Sequence, residues 1–277
     1  MSSFKTILIP VDFTINTDVA IGKALELSLP GFTRIVLLHV TDQRNIAGAI
    51  GRAEKPSRHS ELESIRRLRD KTLENSHETE IQTVIISNRS VEAGVISYAG
   101  ELRPDLIIIG KNNHHSFFPF LNTVVISKIS AETGAAVLTV KPGSVNRKME
   151  TVVMPVCDYF PKRKIDLLAN LGSRMKLNVH LLTILGSRQQ PDNHSASALL
   201  QSMRTIRSRL QCPVQQSVVH SDNRAIATLR YAEKVKADIL LVSDRTEATI
   251  NSWINKKDLS DIVNPASQLQ VLSVKTD

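Results

Sequence analysis

Three places in this sequence put a chemically useful residue directly after an apolar run. The first is Pro10-Val11-Asp12, the second Val40-Thr41-Asp42, and the third Ile109-Gly110-Lys111-Asn112-Asn113, followed by Asn122-Thr123. A carboxylate at Asp12 can accept hydrogen bonds from an adenine amine or a ribose hydroxyl. Gly110 permits a tight turn and a close backbone approach to a phosphate. Asn122 and Thr123 can cap a helix whose first N–H groups bind anions. The spacing also allows Asp12 to be a helix cap and nothing more, and at this point both roles stand.

Other reactive residues are less ordered. His114-His115 falls within the third string, with no cysteine or acidic residue near it at a metal-ligand spacing. Cys157 and Cys212 match neither a zinc pattern nor a redox pair, and Cys157 reads as a buried, inert thiol. Arg204, Arg207 and Ser208 read as one solvated basic helix face. Lys162-Arg163-Lys164 sits near a helix start, where the dipole disfavours cations, which hints at an acidic contact. No Gly-x-Ser-x-Gly elbow and no Walker-type loop is present, so no catalytic set is visible.

The elements that must position these residues repeat. Thr6-Ile7-Leu8-Ile9-Pro10-Val11 returns as Thr151-Val152-Val153-Met154-Pro155-Val156, and Pro104-Asp105-Leu106-Ile107-Ile108-Ile109 as Ala237-Asp238-Ile239-Leu240-Leu241-Val242. Val36–Val40 echoes in His180–Ile184, and Val137–Lys141 in Val271–Lys275. The same order at nearly the same offset means a duplicated unit. Strands read at Thr6–Val11, Arg34–Val40, Ile81–Ser87, Leu106–Ile109 and Ala136–Val140. Helices read at Asn16–Leu27, Ser60–Leu73, Ser90–Leu102 and Thr123–Ala131, with Ser60 and Glu63 as a capping box. The second half repeats the plan, with helices near Lys164–Arg174, Ala196–Leu210, Arg224–Lys236 and Asp258–Val263. Such alternation implies right-handed crossovers and two doubly wound, five-stranded parallel sheets of Rossmann-like α/β type. In such sheets ligands bind beyond the carboxyl ends of the strands, where strand order reverses.

The 277 residues suit two domains, divided at the Pro-, Gly- and charge-rich stretch Lys141–Lys148: residues 1–144 and 148–277. The polar stretch Gln43–Arg58 is a long connection of the kind that carries function or mobility. Aromatic residues make up only 4%, so the core is aliphatic. The net charge of +8 divides into +2 up to Arg147 and +6 beyond it. Without a Lys/Arg block of five or more, and with aromatic stacking platforms scarce, that charge reads as solvated surface and no nucleic-acid partner is expected. No apolar run approaches the roughly 20 residues that span a bilayer, and no signal peptide precedes the first strand, so the expectation is a cytoplasmic, membrane-free protein.

Taken in order, the motifs resemble the universal stress protein family in a duplicated form. They are Pro10-Val11-Asp12, Leu38-His39-Val40, Asp105-Leu106-Ile107-Ile108-Ile109-Gly110 and Val137-Leu138-Thr139-Val140. The resemblance implies an adenine nucleotide, such as ATP with its accompanying Mg and no other metal, held in the first half by Pro10, Val11, Asp12, Val40, Ile109 and Gly110, with Asn113, Asn122 and Thr123. ATP-binding members carry Gly-x2-Gly-x9-Gly-Ser/Thr after the fourth strand. Here Asn113 replaces the second glycine and Asn122 the third, one residue early, and Phe117–Phe120 adds bulk. The resemblance therefore implies weakened nucleotide binding and a non-enzymatic signalling role, with a ligand-free interaction module or a slow ATPase as the rival readings. In the second half Cys157 stands in place of Asp12 and Ser243 in place of Gly110, so that half reads as structural or as a surface for unknown protein partners. Single-domain relatives dimerise through the last strand. Intramolecular pairing of the two halves is therefore expected, and a homodimer is a further assembly this permits.

Overall fold

The computed structural model describes residues 4–42, 58–76, 78–110, 123–143, 148–188, 193–243 and 269–276. The chain divides into two compact units. One comprises Ser3–Leu121 with Glu132–Val145, and the other Asn146–Asp277 with Met1–Ser2 and Asn122–Ala131.

In the first half, strands and helices alternate from the start: β1 (Thr6–Pro10), α1 (Ile15–Leu27), β2 (Arg34–Asp42), α2 (Arg58–Glu74) and β3 (Glu80–Asn88). The half continues with α3 (Val91–Leu102), β4 (Leu106–Gly110), α4 (Thr123–Thr133) and β5 (Ala136–Val140). The strand order is β3-β2-β1-β4-β5. β1 pairs in parallel with β2, Thr6 opposite Arg34, and with β4, Ile7 opposite Leu106. The chain leaves β1 toward one side of the sheet and returns through β4 on the other, so the reversal of strand order lies between these two strands. β1 and β4 are buried along Ile7–Ile9 and Leu106–Ile109, as expected of parallel strands covered on both faces.

The second half runs β6 (Thr151–Pro155), α5 (Lys162–Gly172), β7 (Asn178–Leu185), α6 (Asn193–Leu210), β8 (Val214–His220), α7 (Arg224–Lys234), β9 (Ile239–Ser243) and β10 (Gln270–Val274). Its order, β10-β9-β6-β7-β8, is the same topology as in the first half. Thr151 is opposite Asn178 and Val152 opposite Ile239, which reproduces the register of β1. The helix expected at Asp258–Val263 lies outside the described residues.

One repeated string acts as a clamp. Asp105 Oδ2, just before β4, accepts the backbone N–H groups of Lys5 and Thr6 at 2.8 and 2.9 Å. Asp238 Oδ2, just before β9, accepts those of Glu150 and Thr151 at 3.1 and 2.9 Å. Each carboxylate thus holds the start of the neighbouring central strand in register.

Helix ends follow local chemistry. Thr14, Ser90 and Asn223 cap α1, α3 and α7 through side-chain oxygens. The capping box expected at Ser60 and Glu63 is not formed as a cap, because α2 already begins at Arg58 and both residues lie inside it. Glu61 has a longer-range role instead, described below. The cluster Lys162-Arg163-Lys164 forms the first turn of α5. Lys164 is 4% exposed, and its Nζ donates to the Pro155 carbonyl at 3.0 Å, so a strand-end oxygen takes part in what was read as an acidic contact.

Candidate functional site

Asp12 follows β1 and is half-buried. Its Oδ1 accepts three hydrogen bonds: Thr14 N at 3.0 Å, Thr14 Oγ1 at 2.7 Å and Thr17 Oγ1 at 2.7 Å. The Asp12 N–H donates to Thr17 Oγ1 at 3.0 Å. The carboxylate therefore holds Thr14, which is itself the N-cap of α1, so Asp12 supports the cap without being it. Oδ2 has no hydrogen-bond partner among the described residues, so the ligand reading keeps an acceptor. Beside it, Asn16 is 8% exposed, and its Oδ1 is buried with no hydrogen-bond partner.

Gly110 closes β4 against the same helix start. A Cβ built on Gly110 would lie 1.9 Å from the Asn16 carbonyl oxygen. In this structure the close approach that glycine permits is therefore made by the α1 backbone. The crevice between the ends of β1 and β4 is lined by Pro10, Val11, Asp12, Asn16, Ile109 and Gly110, with a cavity volume of about 10 Å³. Val40 is buried at 4%, and its side chain meets α3, where a Cβ on Gly94 would lie 2.5 Å from Val40 Cγ1; it does not line the crevice. Thr123 opens α4. Asn113 and Asn122, together with His114-His115 and Phe117–Phe120, lie outside the described residues.

Next to the crevice a second cluster forms at the end of β2. Phe13, in a left-handed conformation with φ 58°, stacks on His39 with ring centroids 4.6 Å apart. His39 Nδ1 lies 3.0 Å from the Val11 carbonyl and Nε2 lies 3.8 Å from Glu61 Oε1. Thr41 Oγ1 donates to Glu61 Oε2 at 3.1 Å. Glu61 thus fastens α2 to the carboxyl end of the sheet.

The second half holds the roomier cavity, about 130 Å³, at the ends of β6 and β7. Its walls include Val156, Cys157, Thr183, Ile184, Ser195 and Arg224. Cys157 is partly exposed there, not buried as the sequence reading has it, because it lies two residues beyond the carboxyl end of β6. Sequence reasoning missed Asn16, Thr17, Thr183 and Arg224. Aligning the helix starts Ser90-Val91 and Asn223-Arg224 across the repeat was the available signal.

Elsewhere, Ser187 donates to Asp222 through its N–H at 2.9 Å and its hydroxyl at 2.7 Å, which holds the Asp222 carboxyl below the usual carboxylate range. The serine donates directly to a carboxylate of lowered basicity, which is too weak a base to activate it as a nucleophile. Among the described residues, no group of three or more His, Cys, Asp or Glu is placed to hold a metal ion, and no helix is long and apolar enough to cross a membrane.

Comparison with known proteins places this geometry. The sequence model of the Universal stress protein family matches residues 3–141. Among curated protein sequences none matches significantly. Among solved structures, a universal stress protein from Archaeoglobus fulgidus is similar at TM-score 0.65 and 13% identity, over 98% of this chain and 96% of that one. A functionally unknown protein from Pseudomonas aeruginosa PAO1 is similar at TM-score 0.60 and 16% identity, over 100% and 94%. A putative universal stress protein from Pseudomonas aeruginosa UCBPP-PA14 is similar at TM-score 0.58 and 16% identity, over 100% and 95%. At these identities the likeness concerns the fold.

Proposed function

The chain belongs to the universal stress protein family in duplicated form, and from that premise we propose that it is a non-enzymatic, adenine-nucleotide-responsive protein whose first half holds the base at the crevice between β1 and β4. The observation that carries this reading is the pair of acceptors there: Asp12 Oδ2, and the buried, unpartnered Asn16 Oδ1. A buried polar atom without a partner costs on the order of 1–3 kcal/mol. An exocyclic amine supplies the missing donor. Pro10, Val11 and Ile109 supply apolar surface for the base.

The same geometry argues for low affinity. Asp12 Oδ1 is already committed to α1, and the 10 Å³ crevice has to widen before a base can enter. That opening subtracts from the binding free energy. No group in the described site is positioned to activate a water, which favours sensing over hydrolysis.

Calorimetric titration of the full chain with ATP and GTP tests the reading. ATP binds weakly and in preference to GTP, because guanine presents a carbonyl where adenine presents an amine. Asp12→Asn weakens ATP binding by about tenfold, in line with the 1.5–3 kcal/mol typical of a hydrogen bond to a charged group. Equal affinity for the two nucleotides, or ATP binding unchanged in the variant, sinks it.

A further inference from the structure

The two halves share a topology but differ at two matched positions around their strand ends. Asp12 after β1 corresponds to Cys157 after β6. Val91, the first residue of α3 and 6% exposed, corresponds to Arg224, the first residue of α7 and exposed. The change at the strand end removes a negative charge and the change at the helix start adds a positive one. The helix starts differ in the same sense. α3 carries the acidic residue Glu92 in its first turn, whereas α7 has no acidic residue there. The positive end of the α7 dipole is therefore not offset by its own first turn. Asn223 Oδ1 takes the Ile226 N–H and the Asn223 carbonyl takes the Ala227 N–H. That leaves the Arg224 and Ala225 N–H groups without an acceptor among the described residues.

Arg224 lines the 130 Å³ cavity, about four times the share of liquid volume that one water occupies, and Ala225 follows it in the chain. Val156, Leu182, Ile184 and Leu185 give it one apolar wall, beside a polar one. Thr183 lines it at 5% exposure, and the Thr183 Oγ1 is buried with no hydrogen-bond partner. Asp158, exposed at the mouth, is the one carboxylate in the lining. Arg224 has no ion pair among the described residues.

We propose that the cavity at the ends of β6 and β7 is a second ligand site, specific for a small organic anion. The anionic head, carboxylate or phosphate, sits on the Arg224 guanidinium and the free N–H groups of α7. The compact apolar body fills the space against Ile184 and Leu185. A polar atom of the ligand satisfies Thr183 Oγ1. The site is thus opposite in charge preference to the first-half crevice, and a single chain carries two differently tuned pockets. It does not depend on nucleotide binding at Asp12.

The test is calorimetric titration of the full chain with phenyl phosphate, benzoate and inorganic phosphate. At least one of the aryl anions binds saturably with one site per chain, and more tightly than inorganic phosphate. Arg224→Val, which copies Val91, weakens that binding at least tenfold; Arg224→Lys weakens it less; Arg230→Ala, an exposed change further along α7, leaves it as in the wild type. In a Cys212→Ser background the same aryl anion slows alkylation of Cys157. Absence of saturable aryl-anion binding overturns the proposal. So does inorganic phosphate binding as tightly as the aryl anions, unchanged affinity in Arg224→Val, or a Cys157 alkylation rate indifferent to ligand.

Discussion

The backbone carbonyl of Asn16 occupies the space a side chain at residue 110 needs: a Cβ there would lie 1.9 Å from the oxygen and 2.5 Å from the carbonyl carbon. α1 and β4 can approach this closely only over a glycine. The obstacle is backbone, which cannot swing aside as a flexible side chain does. Gly110→Ala therefore forces α1 away from the sheet and breaks the Asp12–Thr17 arrangement at its start. The expected cost is about 2–3 kcal/mol, in the range of overpacked cores, read as a fall in the urea midpoint. An unchanged midpoint would show that α1 is free to shift. The second half carries Ser243 at this register position, so its own first helix cannot press on the strand end in the same way.

The duplication and the alternation of strands and helices in a parallel α/β fold were legible because aliphatic runs and the Asp-Leu-Ile and Pro-Val strings are local and repeat. The clamp role of Asp105 and Asp238 was not legible, because each carboxylate acts across about 90–100 residues on a neighbouring strand. Gly110 was read for the turn and for phosphate, and its contact with Asn16 needed the packing of α1 on β4. Cys157 was read as buried by analogy with core thiols. Its exposure depends on where β6 ends relative to α7. The capping box at Ser60 failed because the pattern Ser-x-x-Glu also occurs inside helices, where Glu63 pairs with Arg67 one turn along.

The two clamps give unequal effects when removed. Asp238 is 7% exposed, whereas Asp105 is exposed. Truncating either to alanine leaves two strand-start N–H groups without their acceptor. At residue 105 water can replace the lost partner. At residue 238 solvent access is poorer and the desolvated donors stay unpaired. Asp238→Ala should cost about 2–3 kcal/mol and Asp105→Ala about 1 kcal/mol or less. Thermal unfolding of the two single variants compares them directly, and a larger loss at residue 105 would contradict the burial argument.

The second half contains a buried histidine that makes its stability depend on pH. His180, on β7, is 5% exposed. Its Nδ1 lies 3.1 Å from the Tyr231 hydroxyl, which in turn lies 2.7 Å from Ser217 Oγ, and its Nε2 lies 3.4 Å from Asn178 Nδ2. The partners are all neutral, and among the described residues no carboxylate is bonded to the ring. Burial lowers the His180 pKa below its ordinary value of 6.5. The unfolded chain therefore binds a proton at a higher pH than the folded one, and stability rises with pH across that window. The stabilising contribution of the neutral ring is fully present above about pH 6.5. It is lost as the pH falls toward the lowered folded value. His180→Phe removes this proton linkage while leaving the Tyr231–Ser217 hydrogen bond in place. Urea midpoints of wild type and variant at pH 7.5 and pH 5 should therefore show a larger drop on acidification in the wild type. Equal drops would mean that the folded ring accepts a proton as readily as the unfolded one, and that the network around Tyr231 adapts to the charge.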